Sequence, residues 1–167
     1  MAAGLAAAVW WPDPALAQTP DTLSETYSAW AINCQRPQDG PRRCVMSQTL
    51  RRQQGNERLL VTEFSINGDT ITMAMLTPFG LDVSKGATLQ TDDGDVVTVP
   101  FFTCLSNGCV VRQEVASTQI DGFRRGATLK VGFTVAQGGD PFDLESSLAG
   151  FSAAFKRLQE LSAVPSE

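Results

Sequence analysis

The clearest pattern along the chain is alternation. Leu60, Thr62, Phe64 and Ile66 alternate with Val61, Glu63 and Ser65, and after Asn67-Gly68 the pattern resumes at Ile71, Met73 and Met75. Period-two patterning places one set of side chains on one face of a strand. Asn-Gly between two such runs signals a hairpin, because a type I′ turn needs positive φ at both central residues. Asp93-Gly94 repeats that logic between Ala87–Asp92 and Asp95–Val99. Alternation also begins at Tyr27, placing Trp30, Ile32 and Cys34 on one face, and it returns at Leu129, Val131, Phe133 and Val135. Gln137-Gly138-Gly139-Asp140 forms a loop before a short strand bearing Phe142 and Leu144.

Only the end of the chain changes period. Leu148, Phe151, Phe155, Leu158 and Leu161 recur every three or four residues, the spacing of one helix face. Ser146 or Ser147 is placed to cap that helix, with Asp143 and Glu145 on the side its dipole favours. About eight short strands and one terminal helix predict an all-β sandwich with the helix packed against it.

Residues 1–17 differ from the rest. Met1 to Trp11 are almost wholly apolar, Pro12 and Pro14 follow, and Ala15-Leu16-Ala17 supplies a small-x-small triplet. This is the pattern of a bacterial signal peptide, and the run is too short to span a membrane. No Lys or Arg precedes the apolar run, so the positive n-region is missing. The predicted organisation is a signal peptide over 1–17, an extended lead-in over 18–26, one domain over 27–161 and a frayed tail over 162–167.

The chain carries 13 Lys and Arg against 18 Asp and Glu, a net charge of −5. Removing the leader takes away only Asp13, which leaves −4. That balance argues against nucleic acid as a partner, and no second apolar span suggests an integral membrane protein. The absence of histidine excludes Ser-His-Asp triads, Cys-His dyads and His-ligated zinc within the chain. No Ser, Thr or Lys has the neighbours of an activated nucleophile. The chain is therefore read as a non-enzyme, with no catalytic residues, no cofactor and no metal.

Four cysteines allow three pairings. Local pairing of Cys34 with Cys44 and Cys104 with Cys109 is favoured, because each pair brackets turn chemistry. Pro37, Asp39, Gly40 and Pro41 lie in the first interval, and Ser106, Asn107 and Gly108 in the second. A redox role would want Cys-x-x-Cys at a helix N-terminus, and a metal site would want short knuckle spacing; neither is present.

Six arginines, Arg36, Arg42, Arg43, Arg51, Arg52 and Arg58, crowd into residues 36–58 against Asp39 and Glu57, a local charge of +4. On an acidic chain this stretch is a candidate docking patch for lipid head groups, surface polysaccharide or an acidic partner. A solvated loop is the plainer alternative. Arg124-Arg125 could join it. Asp92-Asp93-Gly94-Asp95 lacks the ligand spacing of a calcium loop and reads as a hairpin turn. Phe101-Phe102 reads as core with a rim residue in preference to an exposed anchor for a partner, and Pro78-Phe79-Gly80 as a turn with a buried ring in preference to a binding role.

Taken in order, several segments resemble the invasion-associated locus B (IalB) family of secreted bacterial proteins. They are Trp30-Ala31-Ile32-Asn33-Cys34, Cys44-Val45-Met46-Ser47-Gln48, Pro78-Phe79-Gly80-Leu81 with Gly86, Phe102-Thr103-Cys104, Gly108-Cys109, and Ser147 to Ala154 running into Leu158. The resemblance spans roughly Tyr27 to Leu161 and rests on order and spacing together. It implies an immunoglobulin-like β-sandwich, export to the periplasm or cell surface, and an origin in alphaproteobacteria. It also implies Cys34, Cys44, Cys104 and Cys109 as disulfides and Trp30 and Phe151 as core. Gly80, Gly108 and Gly150 are expected to shape the backbone, with Gly150 inside the helix and closely packed.

The resulting expectation is an exported, disulfide-stapled envelope protein that works as a binding module, with an unknown protein or an anionic surface component as partner. Two other classes stand beside it. One is a chaperone-like or structural factor for envelope maintenance. The other is a histidine-independent enzyme in which Glu63 meets an Asp across the sheet.

Overall fold

The computed structural model describes residues 22–38 and 40–163. The expected leader, the first residues of the lead-in and the last residues of the tail lie outside them.

Two antiparallel sheets carry the fold. Strands β1 (Thr22–Tyr27), β2 (Trp30–Gln35), β3 (Arg43–Arg51), β4 (Arg58–Asn67) and β5 (Thr70–Thr77) form a meander. The chain then leaves for the second sheet with β6 (Ala87–Thr91) and β7 (Val97–Val99). It returns as β8 (Phe101–Leu105) and β9 (Gly108–Glu114), which extend the first sheet in the order β1-β2-β3-β4-β5-β9-β8. Helix α1 (Ser117–Arg125), β10 (Thr128–Thr134), β11 (Pro141–Ser147) and helix α2 (Phe151–Ala163) complete it. The second sheet runs β11-β10-β6-β7. The expected β-sandwich with a C-terminal helix and two local disulfides is what forms.

Alternation decides which face is covered. Trp30, Ile32 and Cys34 on β2, Cys44 and Met46 on β3, Leu60 and Phe64 on β4, and Met73 and Met75 on β5 point into one continuous core. Helix α2 lies over β1 to β4 and presents Phe151, Ala154, Phe155 and Leu158. The second sheet covers the rest, with Phe133 of β10 against Phe101 of β8. At the centre, Phe64 meets Trp30, Phe123, Phe151 and Phe155 edge-on, with ring centroids 5.3–6.4 Å apart. Trp30 and Phe151 are core, as the resemblance implied.

Four local expectations change. The pair Asn67↔Thr70 closes the β4–β5 hairpin, so its turn residues are Gly68 and Asp69, one position later than expected. Only Gly68 has positive φ (58°), which matches a type II′ turn. Gly150 precedes α2 instead of lying inside it: its carbonyl accepts from Ala154 N–H, and its φ is 85°. A Cβ there would overlap the Tyr27 carbonyl, so the close packing is real. Ser147 Oγ accepts from Ala149 N–H, upstream of the helix, while Ser146 is buried in β11. Residues 22–26 of the expected lead-in belong to β1, paired with β2 along its whole length.

Helix α1 is an addition. Its buried side is Ile120 and Phe123, and Gly122 lies between them. One apolar pair three residues apart is too little periodicity to mark a helix in the sequence.

Both disulfides join directly opposed residues of neighbouring strands, Cys34 with Cys44 on β2–β3 and Cys104 with Cys109 on β8–β9. The first is buried in the core; Cys104 is exposed at the margin of the sheet.

Candidate functional site

Strand geometry divides the six arginines. Arg43 opens β3 and Arg51 closes it, so they stand about 27 Å apart at ~3.4 Å per residue. Arg36, Arg42 and Arg43 therefore gather at one end of the sheet, and Arg51, Arg52 and Arg58 at the other.

The second group is engaged with its own hairpin. Arg51 Nη1 donates to the Asn56 carbonyl (3.0 Å), and Arg58 Nη2 to the Asn107 carbonyl (2.8 Å). Arg52 pairs with Glu57 at 3.5 Å on the open surface. These contacts tie the β3–β4 loop to itself and to the β8–β9 turn. Solvent screens such pairs strongly, so they organise the loop more than they stabilise the fold.

The first group lines clefts. Arg42 and Arg43, with Pro41, Ile66, Gly68 and Leu161, border a cleft of ≈ 680 Å³ between the start of β3, the β4–β5 turn and the end of α2. Arg43 also shares a shallower cleft of ≈ 350 Å³ with Arg36, Asn33 and Gln35. Arg42 Nε is buried and has no hydrogen-bond partner among the described residues.

Glu25 is a nearby carboxylate whose field reaches Arg42, but it is already claimed. Arg157 of α2 donates to both its oxygens and Tyr27 Oη–H to one, at 2.7–3.3 Å. Those hydrogen bonds hold the Glu25 carboxyl below the usual glutamate range. Arg42 thus lines the cleft without a side-chain hydrogen bond or ion pair to any described residue, and a guanidinium so placed can meet a carboxylate, sulfate or phosphate oxygen.

Several expectations are redirected. Arg124 bonds Gln159 (3.0 Å), pairs with Asp121 (3.5 Å) and lies 5.4 Å from the centre of the Phe155 ring, so it does not line the arginine cleft. Glu63 is exposed, and its cross-strand neighbours are Ser47 and Ala74, so the carboxylate pair of the enzyme reading does not form. The Asp92 carboxylate accepts from the N–H groups of Ala127 and Thr128, which latches the β6–β7 turn to β10. Phe79 is 59 % exposed instead of buried, because it lies two residues past the end of β5, where the chain bends away from the sheet. The Phe pair, by contrast, divides into core and rim as expected: Phe101 packs on Phe133, while Phe102 turns outward under Arg112, 5.9 Å from the guanidinium.

Sequence reasoning missed the walls of the cleft from Ile66 and Leu161, which periodicity alone assigned to a hairpin and a helix face. It also missed the Glu25–Arg157 clamp, whose partners lie 132 residues apart.

The comparisons agree on one family. The description "Invasion associated locus B (IalB) protein" matches residues 30–159. An Invasion protein B homolog of Brucella abortus (strain 2308) is 36% identical over 141 residues, covering 84% of this chain and 81% of the relative. Invasion protein B of Bartonella bacilliformis is 37% identical over 158 residues, covering 89% and 82%. The crystal structure of invasion associated protein B from Bartonella henselae superposes with a TM-score of 0.77 at 34% identity, over 83% of this chain and 96% of that one.

Proposed function

The chain belongs to the invasion-associated locus B family, and on that footing we propose that it is an exported envelope protein that binds an anionic group of a partner through the cleft at Arg42 and Arg43. Relatives bear the name Invasion protein B, which supports an invasion-associated role for this chain too. Two disulfides suit an oxidising compartment, periplasmic or at the cell surface. No helix among the described residues is long and apolar enough to cross a membrane. Its task is recognition, not catalysis.

The observation that carries this reading is the pair Arg42 and Arg43 on one cleft, neither with a side-chain hydrogen bond or ion pair to a described residue. Two neighbouring guanidinium groups without a carboxylate partner gain from an incoming oxyanion.

The test is cross-linking of the full chain in producing cells at low and raised salt, with the captured partners identified by mass spectrometry. One dominant partner, lost at raised salt and in Arg42→Glu/Arg43→Glu, supports the reading. Arg51→Glu/Arg52→Glu serves as the control and should retain it. Capture unaffected by reversal of Arg42 and Arg43 overturns the reading, and a broad set of unfolded clients points to an envelope-maintenance factor instead.

A further inference from the structure

We propose that the free edge of β8, with the apolar strip of the outer sheet face behind it, docks an extended segment of a partner protein bearing apolar side chains and a carboxylate.

Strand β8 ends the seven-stranded sheet and pairs only with β9. Leu105↔Gly108 closes a two-residue turn, and such closing pairs are hydrogen-bonded. The next pair, Cys104↔Cys109, is then the non-bonded kind, so the N–H and C=O of Cys104 point to the open side. The disulfide between these two residues fixes that edge in place.

Exposed edges usually carry devices against pairing, such as charge, proline or a cover. On β1, Glu25 is clamped beneath α2 by Arg157; β11 carries Pro141, Asp143 and Glu145; β7 has three residues. Strand β8 reads Phe-Phe-Thr-Cys-Leu, with no charge and no proline. Its one irregularity, the register shift between Phe101 and Thr103, turns Phe102 outward.

The edge itself is apolar. Two of the six exposed large hydrophobic side chains among the described residues, Phe102 and Leu105, stand on this one five-residue strand. Phe102 is 66 % and Leu105 52 % exposed. On the outer face Val61, Leu76 and Val110 stand in one cross-strand row that ends at Thr103 of β8. A strand added to β8 would extend that row, with main-chain bonds supplying affinity and alternate side chains specificity.

Charge complementarity selects the occupant. Arg112 flanks Phe102, is exposed, and makes no ion pair with any described residue. Arg58 sits at the β8–β9 turn through Asn107, and neither β8 nor that turn holds a carboxylate. Two copies paired edge to edge would bring these arginines toward their equivalents. A partner segment with an acidic residue meets them favourably.

The test is to pan short random peptides displayed on phage against the immobilised full chain, then measure the enriched peptides against variants. Enrichment of sequences that alternate apolar residues and contain Asp or Glu supports the proposal. Their affinity should fall at least about tenfold in Phe102→Asp/Leu105→Asp, as loss of an interface anchor does. It should also weaken in Arg112→Glu and stay unchanged in Arg42→Glu/Arg43→Glu, which separates this surface from the arginine cleft. Thermal melts of each variant establish that it is folded. No enrichment, or binding indifferent to both the Phe102/Leu105 and Arg112 changes, overturns the proposal. So does a concentration-dependent dimer that dissociates in Phe102→Asp/Leu105→Asp, which would make a second copy the occupant.

Discussion

Arg157 on the last helix grips Glu25 on the first strand, its Nε and Nη2 each 2.9 Å from a different carboxylate oxygen. This bidentate pair closes the sandwich by joining elements from opposite ends of the described chain. It holds the Glu25 carboxyl below the ordinary glutamate value. A depressed folded-state pKa contributes stability that is fully present above the unfolded value of about 4.3 and is lost as pH falls through the lower, folded value. Wild type should therefore melt higher than Glu25→Gln at neutral pH, and the two melting temperatures should converge as pH drops below about 4. Melts across this range check it; a gap that stays constant into acid would show that the charge of Glu25 contributes nothing.

Gly150→Ala should destabilise the fold by more than about 1 kcal/mol. Its φ of 85° disfavours any L side chain, and the added methyl would collide with the carbonyl of Tyr27. That contact seats the start of α2 on the β1–β2 turn, where Ala29 N–H also bonds to the Ala149 carbonyl at 3.3 Å. By contrast Gly55→Ala, at a similar φ of 85° but with open space around it, should cost only the backbone term. Urea denaturation of the two variants separates steric overlap from conformational preference.

Strands β1 and β8 of the first sheet bury no residue and gave no signal in alternation. Strands β2, β4 and β5 were legible because each buries one face, so that alternation reports burial directly. Helix α2 was legible for the same reason at its own period. Helix α1 was not, since Ile120 and Phe123 are its only buried residues. The arginine stretch was visible in the sequence, but its division was not: a strand between Arg43 and Arg51 turns neighbours in sequence into opposite ends of a sheet. Nor does local sequence tell Phe101 from Phe102. Their different fates depend on a register shift against β9 and on Phe133 arriving from the other sheet.

The two disulfides should differ in what they contribute. Loop closure alone gives about 3 kcal/mol for the Cys34–Cys44 ring and about 2 kcal/mol for the shorter Cys104–Cys109 ring. Burial widens the difference, because the first bridge sits in the core and Cys104 lies at the surface. Replacing Cys34 and Cys44 together by Ala should lower stability more than the same change at Cys104 and Cys109. Chemical denaturation of both double variants is the measurement, and equal losses would contradict the ordering.

The carbonyl of Ser147 links the two sheets by accepting twice, from Trp30 Nε1 at 3.1 Å and from Gln48 Nε2 at 2.8 Å. Both donors belong to buried side chains of the first sheet, while Ser147 closes β11 of the second. Removing one donor leaves the carbonyl a partner; removing both leaves it none. Gln48→Leu also deletes Oε1, a buried acceptor without a partner, which offsets part of the loss. Its cost should therefore stay near about 1 kcal/mol. Trp30→Phe loses ring volume as well as its N–H and should cost more. The double variant should exceed the sum of the two single ones, because only there is the acceptor stranded between packed sheets. A double-mutant cycle in urea measures this coupling; additivity within error would mean that the Ser147 carbonyl finds water or another donor and that packing alone holds the sheets in register.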